Sequence, residues 1–140
     1  MSPDESVLGV GDHIGKIILL NWNQGTSKMS VKNSKIKHSS AIKNFDFSRD
    51  SNIIHSTCSS YELLFWDVNT GKQITAGATS TRDEDWATWS LSLGWPVQGV
   101  FEQFMDGTDI NAVDRSKKTF GQKGMKLLAT ADDRGQVRLL

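Results

Sequence analysis

The chain has 140 residues, the size of one domain, with 37% apolar residues, enough for a core. Sixteen Lys plus Arg balance sixteen Asp plus Glu, so net charge points neither to a nucleic-acid binder nor to an acidic solubilising tail. One cysteine, Cys58, excludes an internal disulfide framework, no Cys/His cluster has zinc-like spacing, no apolar run is long enough to span a bilayer, and MSPDESVLGV lacks the features of a signal peptide.

In chain order, the first signal is a repeat. Residues 7–25, VLGVGDHIGKIILLNWNQG, align without a gap with residues 53–71, IIHSTCSSYELLFWDVNTG, an offset of 46 from 7 to 53 and from 25 to 71. Each copy reads as two short strands joined by a tight turn, and each closes with Asn-x-Gly, at 23–25 and 69–71. Between them the charge is lopsided: His13 to Phe45 contains six lysines (16, 28, 32, 35, 37 and 43) and no acid. This run reads first as a solvated face, and otherwise as a contact for an acidic polymer.

Residues 41–48 (AIKNFDFS) alternate weakly at period 2 and are predicted as a strand. The central copy gives strands at about 53–58 and 62–68, and Lys72–Ala78 is predicted as a fourth strand beyond the turn at Asn69-Thr70-Gly71. Four antiparallel strands in a unit of about 46 residues match the arithmetic of a propeller blade.

A third copy, residues 127–140 (LLATADDRGQVRLL), aligns with 53–66 at an offset of 74 from 53 to 127, so 28 extra residues lie between the second and third copies. Most of the excess lies in residues 79–107, with a smaller part in KKTFGQKG at 117–124. In the longer insertion Ala87, Trp89, Leu91, Leu93, Trp95 and Val97 alternate with Thr88, Ser90, Ser92, Gly94 and Pro96, which reads as a strand with one buried face. Gly94 and Pro96 should interrupt it, and Val97 to Phe101 would return as a partner arm. Asp106-Gly107-Thr108 is predicted as a tight turn with Asp109 at its exit, and Ile110–Arg115 as the first strand of the next unit.

Trp66-Asp67 at the end of the central copy, with His38 before its first strand, resembles a WD repeat. In that family a Trp, a strand hydroxyl and a preceding His can link by hydrogen bonds, so the resemblance implies a structural network at His38, Ser56 or Thr57, Trp66 and Asp67. Leu20 and Leu140 stand at the Trp position in the flanking copies, Lys37-His38 replaces Gly-His, and the turn Cys58-Ser59-Ser60 lacks the usual Asp. TRDEDWATWSLSLGWPVQGVF, DGTDINAV and LLATADDRGQVRLL resemble part of the second propeller of echinoderm microtubule-associated protein-like proteins, and HSSAIKNFDFS and SSYELLFWD resemble the blade before it. Asp114 and the extended 117–124 loop depart from that pattern.

The resemblance implies an all-β, WD40-type β-propeller segment. It divides into a partial blade at 1–26, a complete blade at 27–78, a Trp-rich inter-blade β insertion at 79–108 and a partial blade at 109–140. On this reading the chain starts within the second strand of one blade and stops in the third strand of another, so it is a piece of a larger propeller whose remaining blades come from the rest of a parent chain or from another chain. The family associates with tubulin or microtubules and occurs in spindles and ciliary axonemes. The expected location is therefore the cytoplasm and cytoskeleton, with a cilium or axoneme as the finer expectation.

An enzyme is not expected. Gly9-Val10-Gly11 with Gly15 misses the dinucleotide fingerprint by one position, and Gly11 to Gly15-Lys16 is one residue short of a phosphate loop. Both near-misses fall in a turn between strands, where a phosphate loop requires a helix. Asp83, Glu84, Asp85, Asp106 and Asp109 lack the spacing of a calcium loop and read as solvated carboxylates and turn formers. No cofactor, metal, nucleic acid or membrane is expected as a partner.

Two readings of function remain. In the first, Lys28, Lys32, Lys35, Lys37 and Lys43 face acidic tubulin surfaces or another microtubule-associated protein. In the second, a scaffold propeller docks a protein through the insertion, with Trp86, Trp89, Trp95, Asp106 and Asp109 as candidate contacts, although these Trp residues read first as core and inter-blade packing.

Overall fold

The computed structural model describes residues 1–104 and 107–140. Asp106, one of the candidate contacts, lies outside the described residues. The chain divides into two compact units, Met1–Ala87 and Thr88–Leu140.

The first unit holds two three-stranded antiparallel sheets. β1 (Val7–Gly11), β2 (Lys16–Asn23) and β3 (Lys28–Lys37) form one; β4 (Ile42–Phe47), β5 (Ile53–Cys58) and β6 (Leu63–Asp67) form the other. The offset of 46 is visible in space, since β1–β2 and β5–β6 are equivalent hairpins. Period-2 burial places Val7, Ile17, Leu19 and Ile36 of the first sheet in one core with Phe47, Ile54, Trp66 and Val68. Each such side chain contributes about 1.5–3 kcal/mol by leaving water. The two sheets approach closely at Gly9, where an added Cβ would run into the ring of Phe45.

Two expectations change in this unit. β3 pairs with β2 from Lys16↔Lys37 to Asn23↔Lys28, so as a sheet boundary the break falls between Lys37 and Ile42 and not at 26/27. Nothing in the β3 sequence signalled a strand, because lysines occupy the outward positions and Ile36 and Asn33 alone are buried. The strand expected at 72–78 shrinks to a single bridge, Trp66↔Gln73. After the Asp67–Gly71 turn, with Gly71 at φ +65°, the chain winds into a short helix, α1 (Gly77–Ser80). Gly77 packs flat against Phe65, where a Cβ would collide with that side chain, and Thr81 Oγ1 donates to the Gly77 carbonyl at 2.7 Å.

The second unit is built on β7 (Ile110–Arg115), β8 (Leu128–Asp132) and β9 (Val137–Leu139), again antiparallel and in sequence order. Ile110–Arg115 is the first strand of this sheet, and residues 127–140 make its hairpin. The first and third copies close their turns in the same way. Asp12 Oδ1 accepts the Ile14 and Lys16 N–H groups at 3.0 and 2.8 Å, and Asp132 Oδ1 accepts those of Arg134 and Gln136 at 3.0 Å each. The Trp-rich alternation does not make a strand. Residues 88–94 are irregular, Gly94 takes φ +82°, and Trp95–Val97 coil into one 3₁₀ turn with Pro96 inside it. Alternation reports a strand only where a neighbouring strand completes the ladder, and no ladder forms along these residues.

Candidate functional site

Two buried polar clusters and one charged strand are the candidates. The first cluster caps the second sheet. Trp66 Nε1–H donates to Ser56 Oγ at 2.9 Å, and Ser56 Oγ lies 2.7 Å from His38 Nε2. The other ring nitrogen, Nδ1, lies 3.1 Å from Glu62 Oε2. That carboxylate also accepts the Ser39 N–H at 2.9 Å and the Cys58 thiol at 3.2 Å. Hydrogen bonds from the Ser39 backbone and Cys58 hold the Glu62 pKa down to about 2, so it is an acceptor only.

The direction of the chain follows. Nδ1 of His38 must carry the proton given to Glu62, Nε2 of the neutral ring accepts the Ser56 hydroxyl proton, and Ser56 accepts from Trp66. Within this cluster the Trp66, Ser56, His38 and Glu62 polar atoms are matched with His38 neutral, and burial lowers its pKa.

Of the residues the WD resemblance singled out, the structure brings His38, Ser56 and Trp66 together. Thr57 is buried but is Ser56's neighbour along β5, so its side chain faces the opposite side of the sheet. Asp67 instead closes the next turn, its Oδ1 accepting the Thr70 N–H at 2.7 Å and hydroxyl at 2.8 Å. Glu62 escaped the sequence reading. Under the repeat register Cys58 takes the place of Asp12 and Asp132, and the carboxylate enters from four residues further along. An acid at the Lys16-equivalent position beside an Asp-less turn was the available signal.

The second cluster was also missed. Asp46 and His55 are register partners on β4 and β5, both almost fully buried, with Oδ2 and Nε2 3.3 Å apart. The Trp86 indole stacks on the His55 ring with centroids 3.5 Å apart and planes within 4°. Trp86 reaches this place because Asp85–Ala87 run along the end of β4. The Arg49 N–H donates to the Asp85 carbonyl, the Ala87 N–H donates to the Phe47 carbonyl, and Ser48 bridges Trp86. The first three residues of DWATW are therefore a packing clamp on the second sheet.

The other candidates fall into both units. Trp89 is half-buried in its own unit under the Arg115 guanidinium, 4.3 Å from the ring centroid, whereas Trp95 is 41% exposed. Asp109 is exposed, and its carbonyl accepts the Asp133 N–H. Asp85 pairs loosely with Arg49 at 3.4 Å. Among the described residues of the first unit, Asp83, Glu84 and Asp85 are not gathered with other ligand side chains into a cation cage. Lys28, Lys35 and Lys37 are exposed along β3, Lys32 is half-buried near Asp67, and Lys43 lies 5.7 Å over the Tyr61 ring. Nine residue steps from Lys28 to Lys37 span about 30 Å of strand.

Both buried histidines predict a pH effect. Burial is the leading cause that lowers His38 and His55 below 6.5, with Glu62 and Asp46 respectively acting in the opposite direction. The unfolded chain therefore takes up protons first as pH falls through 6.5, and stability present above that value is lost progressively below it. Glu62, with its pKa lowered, adds its own loss only below about 4.5. The urea midpoint should fall between pH 7.5 and 5.5; a flat profile there would contradict the neutral-ring assignment.

The scan of known families agrees with this architecture. A family model described as "Echinoderm microtubule-associated protein second beta-propeller" matches residues 1–140. The chain is 41% identical over 138 residues to echinoderm microtubule-associated protein-like 2 of Homo sapiens, covering 99% of this chain and 20% of that protein. It is 38% identical to the 77 kDa echinoderm microtubule-associated protein of Lytechinus variegatus, with the same coverage. It is 37% identical to echinoderm microtubule-associated protein-like 4 of Xenopus tropicalis, covering 14% of that protein. The chain thus spans about a fifth or less of the length of these relatives. With its three small antiparallel sheets, it is a WD-type β-propeller segment and belongs to the echinoderm microtubule-associated protein second-propeller family.

Proposed function

We propose that the chain serves a non-enzymatic, microtubule-associated propeller, with the lysine strand β3 meeting the acidic surface of tubulin. The observation that carries this reading is the exposed row Lys28, Lys35 and Lys37, with Lys16 directly opposite Lys37 across the β2–β3 ladder. Like charges facing each other across a ladder are unfavourable, and an anionic partner removes that cost. The relatives are named as microtubule-associated proteins, which supports this reading. In the same reading, the sheets β1–β3, β4–β6 and β7–β9 belong to blades of a larger ring. The exposed Val137 and Leu139 of β9 would then be covered by neighbouring blades. Location on the cytoskeleton, and in cilia on axonemes, is the finer part, tested by imaging the tagged protein in ciliated cells.

The test is charge reversal of Lys32, Lys35 and Lys37 to glutamate, followed by co-sedimentation with microtubules. Affinity should drop about tenfold or more, roughly 1.4 kcal/mol. Unchanged binding would leave β3 as an ordinary solvated strand. A second reading, a scaffold that docks another protein, is favoured by one feature, the exposed Trp95. It predicts partner binding that resists salt and is lost in Trp95→Ala.

A further inference from the structure

We infer that His38, Cys58 and Glu62 form a binding site for a thiophilic divalent cation of the zinc type. The ligand atoms His38 Nδ1, Cys58 Sγ and a Glu62 carboxylate oxygen all lie within 4.8 Å of one another. Two of the separations are 3.1 and 3.2 Å, both to the same oxygen, Oε2. Zinc bonds of about 2.0–2.3 Å place tetrahedral ligand atoms roughly 3.3–3.8 Å apart, so small side-chain adjustments bring these three onto one ion. A thiolate, an imidazole and one carboxylate select a borderline-soft metal over calcium or magnesium, which prefer all-oxygen sets.

The surroundings fit a three-ligand site with one open position. The His38 side chain is fully buried, and the Glu62 side chain is 34% exposed, which leaves an approach from solvent on the carboxylate side. The far ring nitrogen of His38 already faces Ser56 Oγ at 2.7 Å, the outer hydrogen bond that orients a ligating imidazole. The linear sequence hid this cluster, since 38, 58 and 62 match no zinc spacing and only the sheet brings them together.

The proton balance is definite. The metal displaces the thiol proton of Cys58, which leaves to solvent, while Glu62, which accepts the thiol and the Ser39 N–H, ligates as a carboxylate. The Nδ1 proton of His38 is replaced by the metal bond, and the neutral ring carries its proton on Nε2 instead, donated to Ser56. Ser56 then accepts from both His38 and Trp66 and turns its own hydroxyl proton away. Binding thus releases one proton per ion and reverses one hydrogen bond in the network.

The test is titration of the folded chain with Cd²⁺, following the thiolate-to-cadmium charge-transfer absorbance, then displacement by Zn²⁺. One ion per chain should bind, with no band in Cys58→Ser and at least tenfold weaker binding in Glu62→Gln. Absence of binding in the unaltered chain overturns the proposal. So does a Glu62→Gln variant that binds as tightly, because the site would then be a lone thiol. Nitrogen NMR of His38 in the unaltered chain needs no variant. Metal binding should shift the ring proton from Nδ1 to Nε2, and binding that leaves the tautomer unchanged refutes the geometry.

Discussion

Replacing Trp86 with alanine should destabilise the protein by about 3–5 kcal/mol, the range for emptying a buried aromatic site. The indole is 3% exposed, lies flat on His55 and sits 6.5 Å from the Phe65 ring. Its removal opens a cavity above a buried Asp–His pair. Water entering there reduces the desolvation that depresses His55, so the His55 pKa should rise towards 6.5 while that of His38 stays put. Urea unfolding followed by circular dichroism measures the first effect, and histidine NMR titration the second. A loss below about 1 kcal/mol would mean that residues 85–87 are an ornament on the second sheet and not a clamp.

Ser56→Ala should be nearly as damaging for a different reason. One buried hydroxyl satisfies both the Trp66 N–H and His38 Nε2, and its removal orphans both at buried positions. At about 1–3 kcal/mol for each of the two stranded groups, the expected loss is roughly 2–6 kcal/mol. A loss under about 1 kcal/mol would show that the hydrogen-bond chain contributes little to the stability of the sheet.

The residues that were readable in the sequence are those whose physics is local. β5 and β6 were read within a residue or two because apolar β-formers are bounded by Ser and Asn-Thr-Gly turns. Ile110–Arg115 followed from the Asp-Gly-Thr turn signal before it, and the final hairpin from the repeat register. β3 was not legible, since its pairing depends on β2 and its outward face is polar. The Trp-rich alternation misled because side-chain period says nothing about whether a neighbouring strand exists.

At the site, His38, Ser56 and Trp66 came from the WD resemblance, and the structure then found the hydrogen bonds between them. Glu62, Asp46 and His55 did not emerge, because cross-strand register decides their partnerships and a single acid in a strand looks like a surface residue. Trp86 stands just before the alternating run that begins at Ala87 and is buried at 3% exposure, whereas Trp95, on the apolar side of that run and expected buried from period alone, is 41% exposed.

The proposed role of the β3 lysines is contact with the acidic surface of microtubules. It is tested most directly by the salt dependence of microtubule co-sedimentation for the unaltered protein, the Lys32, Lys35 and Lys37 reversal, and Trp95→Ala. Screening acts strongly on exposed charges, with a Debye length of about 10 Å at 0.1 M salt. Binding should be tight at low salt and weaken steeply as salt rises, with a large loss in the reversal variant and little change in Trp95→Ala. Salt-insensitive binding that survives charge reversal and disappears with Trp95 would contradict this role.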